Sequence, residues 1–482
     1  MMLDKEERVL MTDSDTVKKQ AGEIRDMKLA NAVRAGISKG RKREMRRIYS
    51  YGAAAIAAAA AAVFIVFSFT GFPDAGGNEK MVQTASPKSV TDIESFRQAA
   101  ARDQGFAAAL EQGLVKPVKL GVEKNGYRID VAGAVADGRT AYILYSLQNH
   151  TKSAAIPIEK SLEFGGVKAP SEWAKSIATL NRYNGNHYIG NETPAGDTGY
   201  YVYATHLLPT AKYNKDAKLS IKIWDTATDK NQEEFDVTFD FDTNMLKDKE
   251  QAYYPDRTLT IAGQNIKVRQ LLYTPLQTYV DLEYDPANEK QVFNLINPVL
   301  IGKSGDQSEK IYYPTEILKD KSQTTLLYKR SRLEQPDKAS LKVFGISAVN
   351  KDQLKLVIDL QKKEIVEAPD DLLRIIAPEP GEKSGAGEIF LERKLEHVQV
   401  AESFDMSLDD SFTDANGETH KRLPSENVSH GGLTRSKDTF KDEKTYNFGK
   451  DALDYPQPLT IRLEKYWIPV MDTQSVELIA KQ

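Results

Sequence analysis

Hydrophobic and polar positions follow three rhythms along this chain. In residues 1–47, Val17, Ala21, Ile24 and Met27, then Leu29, Val33 and Ile37, fall mostly three or four apart, with Lys28 and Gly36 breaking the stripe. That spacing predicts one helix from Asp15 to about Ser38. Ile48 to Pro73 then runs for 26 residues without a charge. From Lys116 the period becomes two: Val118, Leu120 and Val122 alternate with Lys119, Gly121 and Glu123.

The alternating part reads as short strands joined by turns. Asn125-Gly126 predicts a tight hairpin, with Tyr127, Ile129 and Val131 on the return strand, and Asp137-Gly138 predicts a second turn before Thr140 to Leu147. Further strands are expected at Tyr200–Leu208, Leu219–Trp224 and Phe235–Phe241. Three strand pairs of similar pattern recur: Leu219–Ile223 with Phe235–Phe239, Leu341–Phe344 with Leu354–Ile358, and Leu459–Leu463 with Val476–Ala480. Read as terminal hairpins, they divide the chain into tandem β-sandwiches at 114–246, 247–366 and 367–482. Before the first comes a linker and helix at 73–113. Thr91 is the expected N-cap and Glu94 its capping-box partner, followed by a stripe of Ile93, Phe96, Ala100, Phe106 and Leu110. This helix either packs on the first β domain or stands as a free stalk. The fold class is mainly β: one transmembrane helix, then Ig-like sandwiches, with short α segments near the N-terminus.

The uncharged run fits a membrane crossing at 48–72. As a helix, Ile48 to Pro73 would be roughly 39 Å long, against a hydrocarbon core of about 30 Å. Its alanines supply length; Ile56, Val63, Phe64, Ile65, Val66, Phe67 and Phe69 supply the drive, roughly −2 to −4 kcal/mol together. Residues 1–47 carry 13 Lys+Arg against 8 Asp+Glu, and Arg41, Lys42, Arg43, Arg46 and Arg47 stand directly before the run. Basic residues beside a span stay cytoplasmic, where these five face anionic lipid headgroups. The chain is therefore expected in the cell membrane, N-terminus inside and C-terminus outside. A cleaved signal peptide is the rival reading, but such peptides have shorter basic regions and apolar cores.

Composition narrows the rest. The chain of 482 residues is 40% hydrophobic and 28% charged, with a formal net charge of −4 and no cysteine. Lipoprotein anchoring, disulfides, thiolate metal sites and cysteine nucleophiles are thereby excluded. A large outer portion without disulfides fits a bacterium with a single membrane. The acidic balance beyond the run argues against nucleic acid as a partner.

Catalytic patterns are missing too. The six histidines are scattered, with no HExxH pair, GxSxG elbow or phosphate-binding glycine loop. Asp414-Ala415-Asn416-Gly417-Glu418 has the look of a calcium loop, but Phe412 and Leu423 occupy the positions where carboxylates would be required. An acidic hairpin turn is the better reading. Trp173, Trp224 and Trp467 are expected in cores or domain contacts. No enzyme, cofactor or metal is expected.

Three stretches carry a family resemblance. They are Asn31 to Gly40 with the basic run, the Asn125-Gly126 hairpin with Asp130 to Leu147, and Ile261 to Ile301, above all Leu272-Tyr273-Thr274-Pro275-Leu276-Gln277-Thr278-Tyr279-Val280 and Phe293-Asn294-Leu295. On these the chain resembles the membrane-anchored, anti-sigma-factor-like proteins of Gram-positive bacteria, whose tandem all-β outer domains have no assigned function. The resemblance implies envelope signalling. An extracytoplasmic-function sigma factor would be held by residues 1–47, docking on Val17, Ile24, Met27, Leu29, Val33 and Ile37, and the sandwiches would meet an unknown envelope ligand. Zinc-type members use a His/Cys cluster that a chain without cysteine lacks. The alternative is a structural or adhesive envelope protein whose cytoplasmic tail only fixes topology.

Overall fold

The computed structural model describes residues 82–85, 93–178, 182–183, 186–187, 192–227, 230–320, 323–333, 336–378, 384–395, 406–425, 432–436 and 439–480. The expected span (Ile56, Val63, Phe64, Ile65, Val66, Phe67 and Phe69), the basic cluster (Arg41, Lys42, Arg43, Arg46 and Arg47) and the docking stripe (Val17, Ile24, Met27, Leu29, Val33 and Ile37) lie outside them, as does Thr91. Among the described residues no helix is long and apolar enough to cross a membrane.

The described chain is mainly β, in antiparallel sheets. The first sandwich has a six-stranded sheet in the order Val82–Ala85, Lys116–Lys124, Tyr127–Ala136, Thr140–Asn149, Thr198–His206, Lys175–Ala178. Its four-stranded partner runs Lys230–Asp240, Asp216–Asp225, Ala155–Phe164, Val167–Lys168. At the Asn125-Gly126 turn φ is +48° and +78°, the doubly left-handed geometry that matches the twist of the flanking strands. Leu219–Ile223 pairs with Phe235–Phe239 as expected, Leu219 lying opposite Val237.

Tyr127–Ala136 and Thr140–Asn149 are buried along nearly their whole length. One face closes the sandwich core, with Ile129, Val131, Ile143 and Tyr145 meeting Leu219, Ile221 and Phe235. The other face, with Ala132, Val135, Tyr142 and Leu144, is covered by a helical layer bearing Phe96, Ala99, Phe106 and Ala109. Two covered faces explain why these strands read as apolar and small rather than strictly alternating. The helical layer is therefore packed on the sheet and is no free stalk. It is also broken: Ile93–Phe96 is 3-10, Arg97–Ala100 is α, and a new helix, Gln104–Glu111, starts at Asp103, whose carboxylate accepts from Phe106 N at 2.9 Å. Glu94 serves Arg97 (2.6 Å) on the surface.

The second sandwich differs from the expected 247–366. One sheet runs Gln251–Tyr253, Gln264–Tyr273, Gln277–Tyr284, Gln323–Lys329, Glu316–Asp320, with Arg257–Ile261 also on Gln264–Tyr273. The other is built on Lys338–Asn350, which pairs along one side with Lys290–Ile296 and Val299–Ser304, the latter extended by Gln307–Ile311. Its other side pairs with the last strand, Pro469–Ala480, where Leu341 faces Val476. Val476, Leu478 and Ile479 enter the second core.

The third β unit, described by itself, occupies 355–465 and lies in sequence between two strands of the second. Its sheets are Glu364–Glu367, Lys355–Asp359, Leu459–Lys465, Ser407–Thr413, Thr419–Lys421 and Leu373–Ile376, Glu388–Leu395, Thr439–Asn447, Gly432–Ser436. Leu459–Lys465 pairs with Lys355–Asp359, not with the last strand. Two of the three expected terminal hairpins thus do not exist. The local patterns of Leu341–Phe344 and Leu459–Leu463 are real strands, but their partners are reached by exchange: each pairs with the strand assigned to the other. The strand Leu373–Ile376 belongs to the third unit.

Candidate functional site

Among the described residues, a cluster of buried polar side chains lies where the first sandwich meets the second. The first contributes Asp103 at its helix start, the Asp137–Thr140 turn, Tyr142, the edge-strand residue Lys175, and His206 at a strand end. The second contributes the Thr274–Gln277 turn, Tyr279 and Asp281 on the following strand, Glu316 at the start of an edge strand, and Thr325. Asp137, Tyr142 and Tyr279 are fully buried, and Thr140 and His206 nearly so.

Asp137 is the hub. Its Oδ1 accepts from the backbone N–H of Arg139 (3.0 Å) and Thr140 (2.8 Å); its Oδ2 accepts from the hydroxyls of Thr274 (2.6 Å) and Tyr279 (2.9 Å). One carboxylate thus closes a hairpin in its own sandwich and binds the facing one. Arg139, 8% exposed, forks onto Asp281 at 2.5 and 3.1 Å and lies 5.2 Å over the Tyr279 ring. Burial opposes the charge on Arg139, and Asp281 more than offsets it, so the guanidinium holds its proton more tightly than usual. Thr325 donates to Asp281 at 2.6 Å.

A second chain of contacts runs along the other side. His206 contacts Thr140 Oγ1 through Nδ1 (2.8 Å) and Glu316 through Nε2 (2.6 Å). Lys175 bridges Glu316 (2.6 Å) and Asp103 (2.9 Å), and Tyr142 donates to Asp103 at 2.8 Å. Burial acts to raise the Glu316 carboxyl, but the hydrogen bond and charge of His206, with Lys175, override it and bring it down to about 2. Asp103 is lowered in the same way, burial being outweighed by Lys175 and its hydrogen bonds. Burial, reinforced by Asp103 and by Asp137 respectively, pushes the phenols of Tyr142 and Tyr279 far up.

Apolar packing completes the join. Leu276 sits at the tip of the Thr274–Gln277 turn, is fully buried, and packs among Phe106, Ala109, Tyr142 and Leu144. The Gln104–Glu111 helix approaches so closely that a Cβ on Gly105 would lie 2.4 Å from the Tyr142 hydroxyl and 2.9 Å from Gln277 Nε2. Glycine is required there by distance. A small, shallow recess, open to solvent, borders the join between Trp173, Pro209, Gln323 and Thr325.

None of the residues named from the sequence as site residues falls in this join. The Thr274–Tyr279 stretch was singled out for its family likeness, and the structure gives it a physical role as the plug between sandwiches. Asp137-Gly138 forms the turn its residue types predict, with Gly138 at φ +81°, and nothing in the local pattern marks its carboxylate as a hub. His206 was grouped with scattered histidines. Trp173 and Trp224 are half-buried, and Trp467 is buried.

In the third unit Asp414, Glu418 and His420 bring ligand atoms within 4.8 Å of one another. Asp414 is committed to the turn: Oδ1 accepts from the N–H of Asn416 (2.9 Å) and Glu418 (3.0 Å), and Oδ2 faces His420 (3.3 Å). The His420 ring is stacked 4.1 Å from that of Tyr455. This is the acidic hairpin turn expected from the sequence, with Gly417 at φ +84°.

Residues 44–149 match the model of a domain of unknown function, DUF4179. Among the described residues, that match takes in the edge strand Val82–Ala85, the helical layer and the strands through Thr140–Asn149, hence Asp103, Asp137, Arg139, Thr140 and Tyr142. No curated protein matches the chain. The crystal structure of the conserved domain protein from Bacillus anthracis aligns at 10% identity over 58% of this chain and 85% of its own, with a TM-score of 0.33. The cycloalternan-forming enzyme from Listeria monocytogenes in complex with pentasaccharide substrate aligns at 8% identity over 68% of this chain and 29% of its own, with a TM-score of 0.13. Neither likeness assigns a role to any residue here.

Proposed function

We propose that this chain is a single-pass membrane protein with an outer β portion and an inner regulatory segment, acting as an anti-sigma-factor-like regulator of envelope signalling. The uncharged run and its basic flank support the topology. The supporting observation from the fold is the strand Val82–Ala85. Only residues 74–81 separate the uncharged run from this strand, which is the edge of the six-stranded sheet, Gln83 lying opposite Val122. A load or ligand acting on the sandwiches would reach the membrane through a short tether anchored by backbone hydrogen bonds. Residues 1–47 then carry the signal inward by binding an extracytoplasmic-function sigma factor.

The polar join favours a second reading as well. Two sandwiches locked by buried ion pairs make a stiff spacer, which suits a structural or adhesive envelope protein with no signalling role. Deleting residues 2–38 from the full chain, with the basic flank kept, separates the two. Regulation predicts altered transcription and loss of a co-purifying sigma factor, whereas unchanged transcription with no sigma factor on the intact chain overturns it. Protease added to intact protoplasts should digest the sandwiches and spare residues 1–47; the reverse pattern would sink the topology under both readings.

A further inference from the structure

Four contacts run in line across the join. Glu316 Oε2 lies 2.6 Å from His206 Nε2, His206 Nδ1 2.8 Å from Thr140 Oγ1, Thr140 Oγ1 2.9 Å from the Tyr279 hydroxyl, and that hydroxyl 2.9 Å from Asp137 Oδ2. Each distance is that of a hydrogen bond, and each bond needs one hydrogen between its atoms. A neutral imidazole brings one hydrogen, and Thr140 and Tyr279 bring one each. Three hydrogens cannot serve four contacts between two ionised carboxylates. One pair of lone pairs would face each other in a buried site, where an unmade hydrogen bond is expensive.

A fourth hydrogen removes the conflict and fixes every direction. His206 then donates through Nε2 to Glu316 and through Nδ1 to Thr140, Thr140 donates to Tyr279, and Tyr279 donates to Asp137. The hydrogen could also reside on either terminal carboxyl, but both are better served ionised. Asp137 accepts from two backbone N–H groups and from Thr274 besides Tyr279. Glu316 also accepts from the Lys175 ammonium at 2.6 Å, a contact that favours its ionised form. The imidazole is what remains.

We propose that His206 carries a hydrogen on both ring nitrogens when the first two sandwiches are joined, so that the join is a clasp that closes by taking up one proton. The surroundings favour the added charge. Glu316 touches the ring, Lys175 shares that carboxylate and is itself paired with Asp103, Asp137 lies beyond Tyr279, and Arg139 is paired with Asp281. Those four carboxylates outnumber the two cations before His206 is counted. Loss of that proton leaves one contact without its hydrogen. This inference concerns the fold alone and stands whichever way the chain lies in a membrane.

Ring-nitrogen magnetic resonance spectra of the full-length chain, labelled with ¹⁵N-histidine and held at a pH of about 7.5, provide the test; exposed histidines are mostly neutral there. The expected wild-type spectrum contains one histidine with both nitrogens bonded to hydrogen, and His206→Gln removes that signal pair. In Tyr279→Phe the middle of the chain is gone, and Glu316 and Thr140 alone satisfy a neutral ring. That variant should show one bare nitrogen at His206. A wild-type spectrum with no doubly protonated histidine overturns the proposal even if neither variant folds, and so does an unchanged His206 signal in Tyr279→Phe.

Discussion

The side-chain amide of Gln83 binds the backbone of Thr238 in both directions, donating to its carbonyl oxygen at 2.5 Å and accepting from its N–H at 3.4 Å. Gln83 belongs to the edge of one sheet and Thr238 to the edge of the other, so the amide imitates a strand and ties the two sheets at an open edge. The strand that carries it has four residues and, among the described residues, pairs only with Lys116–Lys124. Replacing Gln83 by Ala should remove about 1 kcal/mol, since the bonds are solvent-exposed. Amide exchange at 82–85 and 120–123 should quicken, with little change in global melting. A Gln83→Ala chain whose strand exchanges as slowly as wild type would show that the backbone ladder alone holds this edge.

Arg139 and Asp281 form a largely buried bidentate pair across the join. Removing one partner strands the other charge, and a cost of roughly 3 kcal/mol or more is expected for Arg139→Ala. The paired change Arg139→Met with Asp281→Leu should recover most of that loss, because neither charge is then left unpaired. Denaturant unfolding of the single and double variants measures both. Equal losses in single and double variants would mean that the pair itself, and not the stranded charge, dominates.

Leu276 is the apolar counterpart. It reaches from the second sandwich into a cluster made otherwise of the helical layer and the first sheet. Leu276→Ala should cost about 2–5 kcal/mol with the cavity it leaves. Because Phe106 and Ala109 line that cavity, amide exchange in Gln104–Glu111 should quicken as well. Quickening confined to the Thr274–Gln277 turn would contradict this packing.

What was legible in the sequence was local. Asn125-Gly126 and Asp137-Gly138 announce their hairpins because the turn geometry needs those residues where they stand. The strand Thr140–Asn149 is readable from its own composition. The join is not readable, because Asp137 meets Thr274 and Tyr279, and Arg139 meets Asp281, across some 140 positions of chain. Nothing in the period of either strand marks which carboxylate faces which hydroxyl. The repeat of strand pairs misled for the same reason: two adjacent strands of suitable pattern look alike whether they pair with each other or with distant ones.

The pH dependence of the join follows from the lowered carboxyl of Glu316. A depressed folded-state value means that its contribution is complete above the unfolded value of 4.5 and is lost as pH falls toward about 2. Wild type and Glu316→Gln should therefore differ in melting temperature near pH 5, and the gap should close as the pH falls below that. Asp103, lowered in the same way by Lys175 once burial is outweighed, adds a second contribution over the same acid range. A gap that widens on acidification would reverse the sign and refute the assignment.

The last strand gives the sharpest test of the topology. A chain of three consecutive sandwiches would lose part of the third unit if residues 467–482 were removed. Here Pro469–Ala480 lines the long strand Lys338–Asn350, and Val476, Leu478 and Ile479 fill the second core. Truncation after Tyr466 should therefore expose one side of Lys338–Asn350 and withdraw three apolar side chains, each worth roughly 1.5–3 kcal/mol of burial. Amide protection should fall at 338–347 and in Arg257–Ile261, against which the last strand packs, while Lys355–Asp359, paired with Leu459–Lys465, keeps its own. The interrupted second sandwich predicts damage more than a hundred residues upstream of the cut, and protection lost first in 355–465 would refute it.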